Sequence, residues 1–200
     1  MPGQVLSSDR INLERISFLL VDDNQTSLDI TGGVVSGFGV RSITKCISVR
    51  EAKDVIRRGP IDFIIADAQL PVEDGYTFLE WVRREAEEPN RFVPAIIIVG
   101  HTKMGDVLKA RDCGAHFIVT KPLTPKVLLD RIFWVARDER LFIDCEGYVG
   151  PDRRFKRLGP PTGTSGRRAD DLSGKVGSAK EPNLSQDEIN NLMKPAKVNL

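Results

Sequence analysis

Two hundred residues allow one domain plus an additional segment, and a chain of this length buries a core without disulfide or metal staples. The 29 Lys+Arg against 28 Asp+Glu leave a net charge of +1, so bulk charge gives no reason to expect nucleic acid or a membrane surface as partner. The longest apolar runs, such as residues 95–99, fall far short of the ~20 residues that cross a bilayer, as does the run at 18–21.

No membrane insertion is therefore expected, and the opening MPGQVLSSDR lacks the basic start and apolar stretch of a secretory signal. Cys46, Cys113 and Cys145 form no CxxC pair and cannot all bridge one another, which predicts a reduced, cytoplasmic setting.

In chain order, residues 1–14 read as an amino-terminal extension and 15–140 as one domain. A continuous apolar run at 16–21 (ISFLLV) is closed by Asp22-Asp23. A weaker run follows at 41–47, then 61–66 (IDFIIA) closed by Asp67, 94–99 (PAIIIV) closed by Gly100, and 116–120 (HFIVT) closed by Lys121-Pro122. Runs without polar alternation suit strands covered on both faces, hence a parallel sheet. Helical patterns lie between them. Leu28, Ile30, Val34 and Val35 form the first, Ala52, Val55 and Ile56 the second, and Phe78, Leu79 and Val82 the third. Val107, Leu108 and Ala110 form the fourth, and Val127, Leu128, Ile132 and Val135 the fifth. Gly32-Gly33 should weaken the first helix by roughly 1 kcal/mol per glycine. Five strands alternating with five helices predict an α/β fold, a doubly wound five-stranded parallel sheet.

Beyond the domain, residues 141–183 read as a flexible basic linker rich in Gly and Pro. Residues 150–183 alone hold six Gly, four Pro, eight basic and four acidic residues, a charge of +4 with little to bury. The stretch RLFIDCEGYV at 140–149 is apolar enough to pack, in a place the pattern does not set. A short amphipathic helix, a binding motif, is predicted at 184–194, where Ser185 and Glu188 form a capping box and Ile189, Leu192 and Met193 an apolar stripe. Residues 195–200 are a terminus, and the tail as a whole is expected to be disordered.

Ligand sites of doubly wound sheets lie beyond the carboxyl ends of the strands. Asp22, Asp23, Asp67 and Lys121 each follow a strand and so meet at that edge. Clustered carboxylates stay ionised only with a cation among them, and oxygen ligands of this kind suit Mg²⁺. An ammonium such as Lys121 pairs with a phosphoryl oxygen. Carboxylate nucleophile, divalent cation and lysine together describe phosphoryl transfer to an aspartate. Other chemistries lack their residues. His101 and His116 have no carboxylate-rich helix beside them and read as surface or turn residues rather than zinc ligands. No Gly-rich phosphate loop follows the first strand, and no G-x-S-x-G elbow is present.

VDDN at 21–24, ADAQLPVEDGYTFL at 66–79, PAIIIVG at 94–100 and GAHFIVTKPL at 114–123 resemble the response-regulator receiver domain of two-component signalling, over about residues 16–138. The resemblance implies a flavodoxin-like strand order and a phosphoacceptor at Asp67. It implies Mg²⁺ held by Asp22, Asp23, Asp67 and the backbone carbonyl of Gln69, and Lys121 on the phosphoryl group. Pro71, Asp74 and Gly75 match the turn into the third helix, and Pro122 the position that often follows a cis peptide bond. Two positions depart. Val99 stands where the family usually has Thr or Ser, and Ile118 where it usually has Tyr or Phe. Both halves of the usual switch are absent.

The tail segment LSQDEI, with Leu192, resembles the receiver-binding peptide of the flagellar motor switch protein, departing at Asn190, Asn191 and Met193. The linker holds no helix-turn-helix pattern, so no DNA is expected as partner. Three readings follow. The favoured one is a receiver phosphorylated by a histidine kinase or phosphotransfer protein, signalling by contact with a downstream protein or another receiver, in chemotaxis or motility. It would be no enzyme apart from self-phosphorylation at Asp67. The second is a receiver-like interaction module independent of phosphate. The third is an aspartyl-nucleophile phosphatase, whose D-x-D after the first strand is replaced here by adjacent acids.

Overall fold

A computed structural model describes residues 13–100, 104–138 and 140–153. The five expected strands are present: β1 (Ser17–Val21), β2 (Ser42–Cys46), β3 (Phe63–Asp67), β4 (Ala95–Val99) and β5 (Phe117–Thr120). They form one parallel sheet in the order β2-β1-β3-β4-β5. Between and after them run α1 (Gln25–Gly37), α2 (Val49–Arg58), α3 (Gly75–Glu85), α4 (Met104–Asp112) and α5 (Pro125–Ala136). All five residues of β3 and of β4 are buried, as the unalternating Ile runs require. The order reverses direction between β1→β2 and the later crossovers. Right-handed connections then place α1 on one face and α2, α3 and α4 on the other.

Local signals set the helix starts. Asn24, Ser48, Asp74 and Thr124 each accept a hydrogen bond from a backbone N–H of the first turn of α1, α2, α3 and α5. Gly32 is buried, and its expected weakness has a packing reason. A Cβ there would lie 2.6 Å from Cε of Lys45, whose ammonium reaches Asp29 at 2.7 Å. Ile30, expected on the apolar stripe of α1, is instead 60% exposed.

The linker expected to begin at 141 opens instead with an antiparallel hairpin, β6 (Phe142–Cys145) and β7 (Tyr148–Pro151). Tyr148 and Val149 are buried, and Phe142 meets Phe92 edge-on with ring centroids 4.9 Å apart. Arg91 pairs with Asp144 at 2.8 Å. Gly114, in the turn before β5, has φ +82°, and a Cβ there would lie 2.4 Å from the Val149 carbonyl oxygen. The hairpin thus seals the amino ends of β4 and β5, the edge opposite Asp67 and Lys121.

Beneath it, Arg83 of α3 is fully buried, its charge held by carbonyl oxygens. Its guanidinium donates to the carbonyls of Gly114 (3.1 Å), Arg91 (2.9 Å) and Val93 (2.8 Å). Burial pulls its pKa down to about 10. His116, expected at the surface, is 8% exposed and accepts the Ala95 N–H at Nδ1 (3.2 Å). Burial, with Arg83 and Arg140 nearby, holds it neutral, well below the ordinary histidine range. His101, residues 154–183 and the predicted helix at 184–194 lie outside the described residues.

Candidate functional site

The strand order reverses between β1 and β3, and this switch point is where open α/β sheets bind ligands. Val21 pairs with Ala66, so Asp22 and Asp67 leave the sheet side by side. Asp67 also pairs with Ile98, and Val99 with Thr120, which brings Lys121 to the same edge.

Backbone hydrogen bonds hold these strand ends. Asp22 N–H donates to the Cys46 carbonyl (3.2 Å), Ala68 N–H to Ile98 (2.7 Å) and Lys121 N–H to Val99 (2.8 Å). The Lys121-Pro122 peptide is cis, as the family resemblance implied. Gly75 closes the other side of the pocket. A Cβ there would lie 2.1 Å from the Asp67 carbonyl oxygen, so only glycine lets α3 start this close to the aspartate.

Asp67 is 5% exposed and Asp22 7%. Lys121 Nζ donates to Asp67 Oδ2 and lies 3.4 Å from Asp22 Oδ2. The second oxygen of Asp67 accepts the Gln69 N–H at 2.7 Å. Asp22 is held by Asn24 N–H on Oδ1 (2.9 Å) and by the Ser27 hydroxyl on Oδ2 (2.6 Å). Burial raises the Asp67 pKa, outweighing the lowering by Lys121 and by Gln69 N–H. For Lys121, burial opposes the charged form, but the hydrogen bond and field of Asp67, with those of Asp22, raise its pKa overall. Asp67 is thus a desolvated carboxylate at the foot of an open edge, with one ammonium beside it.

The structure joins Asp22, Asp67 and Lys121 directly and leaves Asp23 exposed at the rim. Among the described residues no three acidic, His or Cys side chains are grouped as a metal cluster. Asp22 and Asp67 instead share the Lys121 ammonium. The donor set still fits a hard divalent cation: two buried carboxylates, a third next to them in the chain, and backbone carbonyl oxygen. Val99 is 2% exposed and Ile118 fully buried, paired with Ile97, so neither switch position presents a hydroxyl or a ring to the pocket.

Sequence reasoning missed Ser27, whose hydroxyl pins Asp22. It also missed the clamp on the loop after Asp67, where Lys53 donates to both oxygens of Glu73 (2.6 and 2.8 Å) beside the Trp81 ring. Val72 in that loop has φ +72° and is fully exposed.

The fold and site define a doubly wound α/β domain with an acid–lysine pocket at its switch point. Residues 18–133 match the family described as response regulator receiver domain, and the chain belongs to that family. It is similar to chemotaxis protein CheY-3 of Vibrio cholerae, 25% identical over 123 residues, covering 60% of this chain and 93% of the relative. The chemotaxis protein CheY of Pseudomonas aeruginosa is 26% identical over 117 residues, 58% of this chain and 93% of the relative. The transcriptional regulatory protein GltR of the same species is 30% identical over 118 residues, 58% of this chain but 47% of the relative. Among solved structures, V. cholerae CheY4 aligns with TM-score 0.56 at 24% identity, over 60% of this chain and 98% of CheY4. A receiver domain from Methanospirillum hungatei aligns at 0.54 and 23%, over 60% of this chain and 91% of its own. These last two likenesses establish the fold, and the flavodoxin-like order matches it.

Among the described residues no helix is long and apolar enough to cross a membrane.

Proposed function

We propose that Asp67 is the phosphoacceptor of a two-component response regulator, phosphorylated by a histidine kinase or phosphotransfer protein in the cytoplasm. The observation that carries this reading is the buried Asp67 carboxylate hydrogen-bonded to Lys121, with Asp22 3.4 Å from the same ammonium, at the open end of the sheet. A carboxylate oxygen of Asp67 attacks the phosphorus of a phosphohistidine. The P–O bond forms as the P–N bond breaks, and the leaving imidazole keeps the electron pair. Gln69 N–H holds one carboxylate oxygen in place. Lys121 pairs with the transferred phosphoryl group. Asp22, Asp23, Asp67 and the Gln69 carbonyl are the residues proposed to hold Mg²⁺, which when bound supplies charge for the phosphoryl oxygens. Ser27 and Asn24 fix Asp22 for that role.

Output is proposed to run through protein–protein contact rather than DNA, in chemotaxis or motility. The CheY-like relatives, each covered over 93% of its length, support this setting. GltR is matched over less than half of its own length. The three cysteines are free, consistent with a reduced compartment. Residues 184–193, with Ile189, Leu192 and Met193 as anchors, are proposed as the partner-binding helix, for a receiver surface on this chain or another. Ile189→Asp in the full chain should abolish any such contact.

The central reading is tested by incubating the full chain with radiolabelled acetyl phosphate and Mg²⁺. Labelling lost in Asp67→Ala and slowed in Lys121→Ala supports it, and labelling that survives Asp67→Ala refutes it. The second reading, a module whose output ignores phosphate, is favoured by buried, apolar Val99 and Ile118. A pull-down giving identical partners with and without phosphorylation would establish it.

A further inference from the structure

The usual route from phosphate to the outer helices is absent, since Val99 and Ile118 carry neither hydroxyl nor ring. A different hydroxyl is buried at the start of α3, next to the glycine that borders Asp67. Tyr76 is the second residue of α3, next to Gly75, whose backbone lies against the Asp67 carbonyl. Its side chain is 8% exposed, and among the described residues its hydroxyl has no hydrogen-bond partner. Buried polar groups are nearly always bonded, so an unpaired buried phenol calls for a physical reason. The Tyr76 ring faces α4, with the Lys109 ammonium 5.8 Å from its centroid. Burial is the main influence that keeps the phenol neutral, and among charged groups Asp106, on the first turn of α4, acts on it most strongly. The phenol is thus a donor without an acceptor among the described residues, and α4, against its ring, carries a carboxylate that can accept a further hydrogen bond.

We propose that Tyr76 couples the aspartate pocket to α4, its hydroxyl gaining a hydrogen bond to the Asp106 carboxylate when Asp67 is phosphorylated. This rests on the reading of Asp67 as phosphoacceptor. The resting state bears the unsatisfied phenol, and the activated state satisfies it. A ligand shifts an equilibrium only through a difference between the two states, and this bond supplies one. Two flanking features give the coupling a mechanical basis. The tight contact at Gly75 transmits displacement of the Asp67 backbone to the first turn of α3. α4 begins five residues after Val99, whose strand borders Asp67 through Ile98. The hydroxyl at α3 thereby takes over the part that Thr and Tyr play elsewhere in the family.

The test compares wild type, Tyr76→Phe and Asp106→Ala in the full chain. Thermal unfolding is recorded without ligand, Asp67 labelling with acetyl phosphate, and amide spectra of residues 104–112 before and after beryllofluoride with Mg²⁺. The proposal expects Tyr76→Phe to leave resting stability equal or higher, because an unpaired hydroxyl is removed. Labelling should stay within two-fold of wild type. The shift in residues 104–112 should fall by about ten-fold in population, within the range of ordinary coupling between sites. Asp106→Ala, which removes the acceptor oxygens, should show the same loss, and the double variant no further loss. A Tyr76→Phe protein that unfolds more easily at rest would show the phenol already bonded, and overturns the proposal. So does an undiminished response of residues 104–112 in a variant that labels normally. Failure of wild type to label at Asp67 is a separate outcome. It removes the phosphoacceptor reading and the coupling with it.

Discussion

Replacing Asp67 with Asn tests the electrostatics of the pocket without touching its shape. The carboxylate is 5% exposed, whereas the Lys121 side chain is 38% exposed. Losing the charge therefore spares Asp67 its desolvation, while Lys121 keeps access to water. The Asn side-chain oxygen can still accept the Gln69 N–H. Burial outweighs Lys121 at Asp67, so the variant should be more stable than wild type at pH 7, by about 1–2 kcal/mol. For a domain of this size that corresponds to a rise of roughly 3–6 °C in Tm.

The sign with pH follows from the raised folded-state pKa. The stabilising preference for the protonated acid is present below the unfolded value of about 3.9 and is lost as pH rises through the folded value. The advantage of Asn should thus be full near neutrality and vanish toward pH 4. Divalent cation narrows the difference. At ten times its dissociation constant, Mg²⁺ adds about 1.4 kcal/mol to the protein that binds it. Wild type should gain this and the variant little, so the two converge. Urea unfolding at pH 7 and pH 4, with and without Mg²⁺, measures all four quantities. An Asn variant less stable than wild type at pH 7 without Mg²⁺ would refute the reasoning, showing the ion pair to be net stabilising.

Arg83→Met should cost about 2–5 kcal/mol in urea unfolding, because three carbonyls lose their donors while only part of the buried-charge penalty is recovered. A loss below about 1 kcal/mol would mean those carbonyls are satisfied otherwise. His116 is held neutral by burial, so the fold disfavours its protonation, and stability should fall as pH drops below about 6.5, by up to ~1.4 kcal/mol per pH unit. His116→Gln should remove one proton from that slope. Val72→Asn should raise stability by about 1 kcal/mol, since a β-branched residue at φ +72° is strained and Asn tolerates that region. An unchanged midpoint would show the loop to be unstrained.

The strands were legible because the sheet is covered on both faces. ISFLLV, IDFIIA and PAIIIV have no polar alternation, and each lies within a residue or two of the observed strand. The site was legible for the same reason. Charged residues that end such runs are carried to one edge by the topology, whatever the packing. The hairpin was not legible, although Glu146-Gly147 between two short apolar runs is a turn signal. Its strands are four residues each, and their partners, Gly114, Phe92 and Arg83, lie 28 to 59 residues from β6 in the chain. Arg83 and Asn90 are polar residues that belong to none of the apolar patterns. Asn90 is buried, donating to the Ile56 and Gly59 carbonyls and accepting the Ile61 N–H. Such roles arise from tertiary closure, and no local pattern encodes them. Ser27 lies before the first apolar residue of its helix and carries no pattern of its own, and only the folded β1–α1 turn shows its hydroxyl on Asp22.

Chemical trapping of the phosphoaspartate tests the central claim most directly. The full chain, treated with acetyl phosphate and Mg²⁺ and then reduced with borohydride, should yield homoserine in place of Asp67 and at no other acidic position. Peptide mass spectrometry reads that conversion residue by residue. Conversion at Asp67, dependent on Mg²⁺ and diminished in Lys121→Ala, is the predicted result. Conversion at another carboxylate, or none under conditions that convert a receiver of established activity, would contradict the assignment of Asp67 as phosphoacceptor.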